Sequence, residues 1–195
     1  MSDIFDQPDE AATPLTEEDK RGLKLAYITN RAQLNSAEQE NIARGQDWAL
    51  SRRRNLLTEQ GIRSLHQHMF GDVWRWAGRF RASETNLGIN FWEIPTALRV
   101  LLDDAKTWIE MKAYPPDEIA VRLHHRLTQI HPFPNGNGRH ARLTADILIM
   151  QLGGERFSWG RANLRDAGGV RKQYIAALQA ADGHDIDPLM VFARS

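Results

Sequence analysis

One segment, from Gly138 to Leu152, constrains the fold of this chain more than any other. Its apolar side chains surround most of the circumference of a helix: Ala141, Leu143, Ala145, Ile147, Leu148, Ile149, Met150 and Leu152. A helix that is apolar on nearly every side is buried at the centre of a domain. The two glycines that follow the segment indicate a left-handed end to the helix. We therefore expect the other elements of the fold to surround this helix.

Helical periodicity also dominates the rest of the chain, which predicts a mainly α fold. N-caps are predicted at Thr16, Ser36 and Thr58. Further helices are predicted at residues 94–111, from Pro115-Pro116 onward, at 169–181 and at 188–193. The only strand candidate is Arg79 to Trp92, in which Gly88 can turn a short hairpin. The expected architecture is an α-helical bundle with one β-hairpin.

Composition limits the number of domains and the chemistry. The chain has 195 residues, 25 of them basic and 25 acidic, and no cysteine. This length suits one domain, and the lack of cysteine excludes disulfides, thiolate metal sites and a cysteine nucleophile. No apolar run is long enough for a transmembrane helix, and the acidic start of the chain does not resemble a secretory signal. We expect a cytoplasmic protein in which residues 1–14 form a flexible acidic tail and residues 15–195 form one domain.

The segment most informative about function runs from His131 to Arg142 and reads HPFPNGNGRHAR. Its two prolines favour an extended turn, and its glycines allow backbone N–H groups to approach a ligand closely. The buried helix begins immediately afterwards, so its positive N-terminal end faces the same point. Arg139 and Arg142 are three residues apart and share one face of that helix. The pattern predicts an anion site for more than one phosphate, with His131 at its edge.

This segment resembles the signature of the Fic (Fido) family, H-P-F-x-[D/E]-G-N-G-R-x-x-R, at every fixed position except Asn135. The likeness extends over about residues 30–192, through Leu65-His66 and Trp76-Ala77-Gly78. It is greatest to the small bacterial branch called mobile mystery protein B. The resemblance implies a mainly α, Fic-type helical bundle with one β-hairpin flap at about residues 81–92.

The same resemblance implies transfer of AMP from ATP to a Ser, Thr or Tyr hydroxyl of a target protein. His131 is implied as the general base, a role that suits an imidazole at neutral pH. The residues implied to bind the phosphates of ATP are Gly136, Asn137, Gly138, Arg139 and Arg142. The flap residues implied to dock the target as an added strand are Thr85, Asn86 and Leu87.

Asn135 stands where the family usually has an acid that holds the Mg²⁺ cofactor. Because Mg²⁺ prefers a charged oxygen, a neutral amide at the metal position implies weaker binding. Two other functions therefore stay open beside adenylyl transfer. One is transfer of a different phosphate-containing group, and the other is a catalytically weak module that senses nucleotide or binds a partner.

Upstream, Ser36-Ala37-Glu38-Gln39-Glu40-Asn41 resembles the family's inhibitory pattern, [S/T]-x-x-x-E-[G/N]. It implies an inhibitory helix of about residues 36–48, capped by Ser36, in which Glu40 takes the place of the γ-phosphate on Arg142. The alternative is an ordinary capped helix with solvated acids. The resemblance thus implies a self-inhibited, toxin-like enzyme whose partners are ATP and a target protein. A second copy of the chain or a regulatory protein stays open as a partner, and neither a membrane nor a nucleic acid is expected.

Overall fold

In the computed structural model, which describes residues 15–160 and 167–195, helices form most of the chain. In chain order they are α1 (Glu17–Lys20), α2 (Arg31–Leu50), α3 (Glu59–Phe70), α4 (Ile94–Glu110), α5 (Pro116–Ile130), α6 (Asn137–Gln151), α7 (Ala167–Asp182) and α8 (Asp187–Arg194), with a 3-10 turn at Phe91–Glu93. The prediction of a mainly α fold is confirmed. The tail proposed at residues 1–14 lies outside the described residues. Of the described helices, none is both long and apolar enough to cross a bilayer.

Helix α6 lies between two apolar cores, which explains why its apolar side chains face nearly every direction. On one side, Ala141, Ala145 and Ile149 pack with residues of α4, α5, α7 and α8. On the other side, Leu143 and Ile147 pack with residues of α2 and α3. Burial on both sides fixes the position of α6, and with it the position of the motif at its N-terminus.

Local sequence signals set several helix ends as predicted. The Thr58 hydroxyl accepts a hydrogen bond from the Gly61 N–H at 3.0 Å and so caps α3. A proline stands in the first turn of α5, where its missing N–H has no helical partner to lose. After α6, Gly153 has a φ of +88°, which is the predicted left-handed ending.

Helix α2 begins one and a half turns earlier than predicted, at Arg31 rather than Ser36. The reason is a cap at Asn30, whose side chain accepts a hydrogen bond from the Gln33 N–H at 3.0 Å. Ser36 therefore lies within the helix and does not cap it. The predicted boundary of 36–48 is wrong, because the helix extends upstream to the cap at Asn30.

Residues 81–90, called the flap loop from here on, do not form the predicted β-hairpin. In the described residues, strand pairing is limited to one isolated antiparallel bridge between Leu23 and Trp74. The carbonyl groups of Ser83 and Ile89, near the two ends of the flap loop, accept hydrogen bonds from the Arg81 side chain instead. One guanidinium thus replaces the cross-strand N–H groups of a hairpin.

Candidate active site

His131 follows the last residue of α5 in a left-handed conformation, with φ 52° and ψ 59°. This conformation is uncommon for a residue other than glycine, and it turns the chain sharply out of the helix. The ring Nδ1 lies 3.3 Å from the carbonyl oxygen of Thr128. Because a carbonyl only accepts hydrogen bonds, Nδ1 carries the ring proton and Nε2 is the basic nitrogen.

Burial lowers the pKa of His131 to about 4. The carbonyl of Thr128 acts in the opposite direction, and the nearby guanidinium of Arg81 lowers the pKa further. Desolvation is the largest of these effects because it disfavours the charged imidazolium. His131 is therefore neutral at pH 7, in the form that can accept a proton.

The turn after His131 is closed by the side chain of Asn137. Its Oδ1 accepts a hydrogen bond from the Phe133 N–H at 2.9 Å, and its Nδ2 donates to the Phe133 carbonyl at 2.8 Å. The Asn137 side chain is buried and holds the shape of the turn. An anion at this point would therefore meet the backbone N–H of Asn137 rather than its amide group.

Gly136 is required at the start of α6 for two reasons. Its φ is +78°, and a Cβ atom here would lie 2.5 Å from the Phe70 ring. As the N-cap of α6, it offers no side chain to the helix N-terminus. The first turn of α6 consequently presents its N–H groups and the positive end of the helix dipole without a capping side chain.

Two arginines flank this helix end. The Arg139 Nη1 lies 2.8 Å from the Glu38 carboxylate, and its guanidinium carbon lies 4.9 Å from the centre of the Phe70 ring. The Arg142 guanidinium carbon lies 5.4 Å from the centre of the Tyr174 ring. An N-terminal helix end with two guanidinium groups is well suited to a polyphosphate.

His66, on α3, supports this turn from inside the protein. Its Nδ1 accepts a hydrogen bond from the Gly78 N–H at 3.0 Å, so its Nε2 carries the proton that is donated to the Asn135 carbonyl, also at 3.0 Å. The His66 ring also stacks on Phe133 at 3.7 Å between centroids. Complete burial holds the pKa of His66 well below its ordinary value, so the ring stays neutral.

The proposed metal ligand, Asn135, does not fit Mg²⁺. Its side-chain oxygen accepts a hydrogen bond from the Gly136 N–H at 2.6 Å and lies 3.4 Å from an Arg139 nitrogen. Both neighbours are donors that repel a cation. In the described part of the chain, His, Cys, Asp and Glu residues form no group of three that could hold a metal ion. The donor chemistry of the turn suits an anion instead.

Residues 56–149 match the family model described as Fic/DOC family. A protein of Aedes aegypti named "Protein adenylyltransferase Fic" is 29% identical over 147 residues, which are 73% of this chain and 28% of that protein. Residues 56–149 are therefore similar to the Fic/DOC family. A protein of the same name from Nematostella vectensis is 29% identical over 140 residues, or 31% of its length. The chain thus spans less than a third of the length of these two relatives.

Solved Fic structures share the fold of this chain. A C. elegans Fic-1 fragment superposes with a TM-score of 0.63 at 23% identity, covering 89% of this chain and 56% of that one. The BepC protein of Bartonella tribocorum, solved with bound AMPPNP, gives a TM-score of 0.68 at 16% identity, covering 92% and 97%. At these identities the likeness establishes the Fic fold.

The predicted pairing of Glu40 with Arg142 is wrong for Glu40, which does not face the Fic motif. Glu40 is exposed on α2, whereas Glu38 is buried and its carboxylate reaches the Fic motif. One Glu38 oxygen pairs with Arg139, and the other accepts a hydrogen bond from the Trp74 indole at 2.8 Å. Residues two apart face different sides of a helix, so only one of the two glutamates can point inward.

The other implied site residues are distributed as follows. Five of them lie close together at the start of α6: His131, Gly136, Asn137, Gly138 and Arg139. Arg142 lies about one turn further along the helix. The flap residues Thr85, Asn86 and Leu87 lie at the tip of the flap loop, where the Thr85 hydroxyl donates to the Leu87 carbonyl at 2.5 Å. Their role in docking a target stays a prediction.

The sequence motifs give no role to His66, and Glu38 occupies only a variable position of the inhibitory pattern. A usable signal existed for His66, because it lies on the same face of α3 as Ile62 and Met69, where a polar side chain needs partners. For Glu38, the spacing along α2 from the buried Leu34 and Asn41 indicates the inward face.

Proposed function

We propose that this chain transfers AMP from ATP to a side-chain hydroxyl of a target protein. The observation that carries the proposal is a neutral His131 beside the uncapped N-terminus of α6, flanked by Arg139 and Arg142. The names of the relatives, protein adenylyltransferases, support the same chemistry. A polyphosphate fits the helix end, and a neutral imidazole fits the removal of a hydroxyl proton.

In the proposed reaction, Nε2 of His131 takes the proton from the target hydroxyl as the oxygen attacks the α-phosphorus of ATP. A bond forms between that oxygen and the α-phosphorus, and the bond from the α-phosphorus to the β-phosphate oxygen breaks. Pyrophosphate leaves. The charge that develops on the phosphates is stabilised by the two guanidinium groups and by the backbone N–H groups of α6. Because Asn135 is not a suitable ligand for Mg²⁺, this scheme uses only the chain's own cations.

Glu38 restrains this site in the proposed scheme. Its carboxylate holds Arg139 in a 2.8 Å pair and competes with any phosphate for that guanidinium. The pair is sheltered, since the Glu38 side chain is 8% exposed. The self-inhibition implied by the resemblance is thus retained in the proposal with a different pair, Glu38 and Arg139.

The experiment compares Glu38→Gln with Glu40→Gln, using ATP labelled on either the α- or the γ-phosphate. Glutamine keeps the size of Glu38 and an oxygen for Trp74, and it removes only the charge that competes at Arg139. A coupling between two sites is typically worth roughly 5- to 150-fold. We expect Glu38→Gln to raise ATP affinity and α-label transfer within that range, and the exposed Glu40→Gln to change neither.

Each other outcome has a defined meaning. Transfer of the γ-label instead of the α-label would replace adenylyl transfer by phosphoryl transfer. ATP binding without transfer of either label, in wild type and both variants, would indicate a nucleotide-sensing module. Equal activation by both substitutions would show that α2 was loosened in general and that Glu38 has no specific role.

A further inference from the structure

We propose that Arg81 is a positioning residue that fixes the shape of the flap loop over His131. The proposal rests on the proposed function in one respect only, namely that the flap loop presents the target hydroxyl. Its structural part, that a single side chain shapes this loop, stands independently of the reaction.

The three nitrogens of the Arg81 guanidinium bind three separate backbone carbonyls. The Nε donates to the carbonyl of His131 at 2.8 Å, and Nη1 donates to that of Ser83 at 3.0 Å. The Nη2 donates to the carbonyl of Ile89. In addition, the Arg81 backbone N–H donates to the Pro132 carbonyl at 2.9 Å. One residue therefore joins both ends of the flap loop to the first two residues of the Fic motif.

The environment of Arg81 indicates that the backbone carbonyls, and not a carboxylate, are the main partners of its guanidinium group. Its side chain is 1% exposed, and Glu84, at 3.7 Å, is 52% exposed and therefore a weak counter-ion. A buried guanidinium needs hydrogen-bond partners for its planar set of donors, and the carbonyls provide them. Lysine carries the same charge on a single nitrogen, so it cannot reach carbonyls on three sides at once.

The flap loop lies directly against His131. A Cβ atom on Gly88 would be 2.6 Å from the Cβ of His131, and Gly88 itself has a φ of +104°. The outer side of the loop is open, since Leu87 is 42% exposed and Trp92, just after the loop, is 63% exposed. Arg81 thus holds a solvent-exposed edge at a fixed distance from the proposed base.

This arrangement has a consequence for which hydroxyl reacts. A reacting oxygen must approach within about 3–3.5 Å of its partner atom in a suitable orientation. If the target docks on the flap loop, the shape of that loop sets the distance between the target hydroxyl and Nε2 of His131. Arg81 contacts neither the hydroxyl nor the phosphates in this scheme, and it acts through the loop alone.

The test compares Arg81→Lys with Arg79→Lys, an exposed arginine two residues earlier in the same segment. Hydrogen exchange of the Arg81 backbone amide, which donates to the Pro132 carbonyl at the start of the flap loop, is measured first, because it requires no substrate. Loss of a hydrogen bond to a charged group corresponds to roughly a tenfold or larger change in local opening. We expect exchange of this amide in Arg81→Lys to accelerate by on the order of tenfold or more, and that in Arg79→Lys to match wild type.

Two further measurements, KM for the acceptor protein and the affinity for ATP, distinguish an effect on the shape of the flap loop from an effect on the nucleotide site. The acceptor is the protein that the Glu38→Gln variant labels most strongly from α-labelled ATP in a cell lysate. In the Glu38→Gln background, Arg81→Lys should raise KM for that acceptor on the order of tenfold, while ATP affinity stays within experimental error of the parent. If Arg81→Lys does not fold, Gly88→Ala replaces it, since the new Cβ displaces the flap loop from His131. The same selective rise in KM is then expected.

Unchanged exchange of the residue 81 amide in Arg81→Lys, or an equal change in Arg79→Lys, would overturn the proposal. A loss of ATP affinity as large as the loss of transfer would also overturn it, because Arg81 would then act on the nucleotide site. If no variant transfers any label, the proposed function fails, and the exchange measurement still decides the role of Arg81.

Discussion

The turn at residues 131–136 and the flap loop at residues 81–90 are both irregular, and both contain a glycine with positive φ, yet they are held in different ways. The turn is buried and fixed by several elements: Asn137 closes it, His66 binds its main chain, and Phe70 lies beneath Gly136. The flap loop is largely exposed, and one side chain, Arg81, binds both of its ends. The proposed nucleotide side of the site is therefore held by several elements, whereas the hydrogen bonds of Arg81 shape the proposed target side.

Because of this difference, we expect the flap loop to tolerate amino-acid substitutions better than the turn does. A substitution in the flap loop affects a surface with few packing partners, so the loop can vary with the target while the nucleotide site is preserved. A substitution in the turn disturbs residues of α3, α5 and α6 together. The following predictions test that separation, beginning with the largest expected effect.

His131→Ala should lower adenylyl transfer by on the order of 100- to 10,000-fold, because it removes the proposed general base. ATP affinity should stay close to that of the parent, since the phosphate contacts belong to other residues. Transfer rates and ATP titrations in the Glu38→Gln background provide the measurement. A folded His131→Ala protein with undiminished transfer would remove His131 from the reaction.

Gly136→Ala should lower the free energy of unfolding by about 2–4 kcal/mol and weaken ATP binding. The new Cβ would lie 2.5 Å from the buried ring of Phe70, at a φ of +78°. Gly153→Ala is the matched control, because φ there is +88° and no atom lies within 4 Å of the Cβ position. It should cost about 1 kcal/mol, from backbone strain alone. The free energies of unfolding are measured with denaturant. If both variants lose the same amount, the Phe70 ring moves to accommodate the added methyl group.

Gly88→Ala should lower the free energy of unfolding by roughly 1 kcal/mol, which is less than the loss for Gly136→Ala. The new Cβ would lie 2.6 Å from the Cβ of His131 and 2.9 Å from Nη2 of Arg81. The exposed flap loop can move outward to relieve both contacts, at the cost of the bond from Arg81 to Ile89. Transfer to the target should fall while ATP binding persists. A stability loss as large as that of Gly136→Ala would show that the flap loop is as tightly held as the turn.

The smallest expected effect is that of pH on the rate of transfer. The kcat/KM profile reports the pKa of the base in the free enzyme. Burial lowers the pKa of His131 to about 4, so the neutral form is complete above about pH 5 and is lost as the pH falls through 4. We expect kcat/KM for the target to be flat between pH 6 and pH 8. If the base had an ordinary pKa of ~6.5, its neutral fraction, and with it kcat/KM, would instead fall about fourfold at pH 6.

Much of the fold was predictable from local sequence. The apolar residues around α6, the cap at Thr58 and the glycine after α6 act over a few residues, and all three were predicted as the structure has them. The start of α2 was misplaced because Asn30 and Ser36 are both acceptable caps. Only the packing of the residues between them decides which one is used.

The candidate site was less predictable because its contacts join distant segments. The motif located His131, Arg139 and Arg142, but the spacing of Ser36 and Glu40 indicated the wrong acid. Which glutamate of α2 points inward depends on how α2 packs on α3 and α6. Likewise, a glycine at position 88 of the strand candidate 79–92 favours a hairpin. Nothing local indicates that the Arg81 side chain binds the carbonyls that a second strand would otherwise engage.

The pair formed by Glu38 and Arg139 spans 101 residues of sequence, and the bond from His66 to Asn135 spans 69. Loops of this length close late in folding, after the local helices have formed and docked. During synthesis, α2 and α3 are complete long before the first turn of α6 leaves the ribosome. A partly made chain consequently has Glu38 without Arg139 and lacks the first turn of α6, so the proposed restraint cannot form before the proposed phosphate site does.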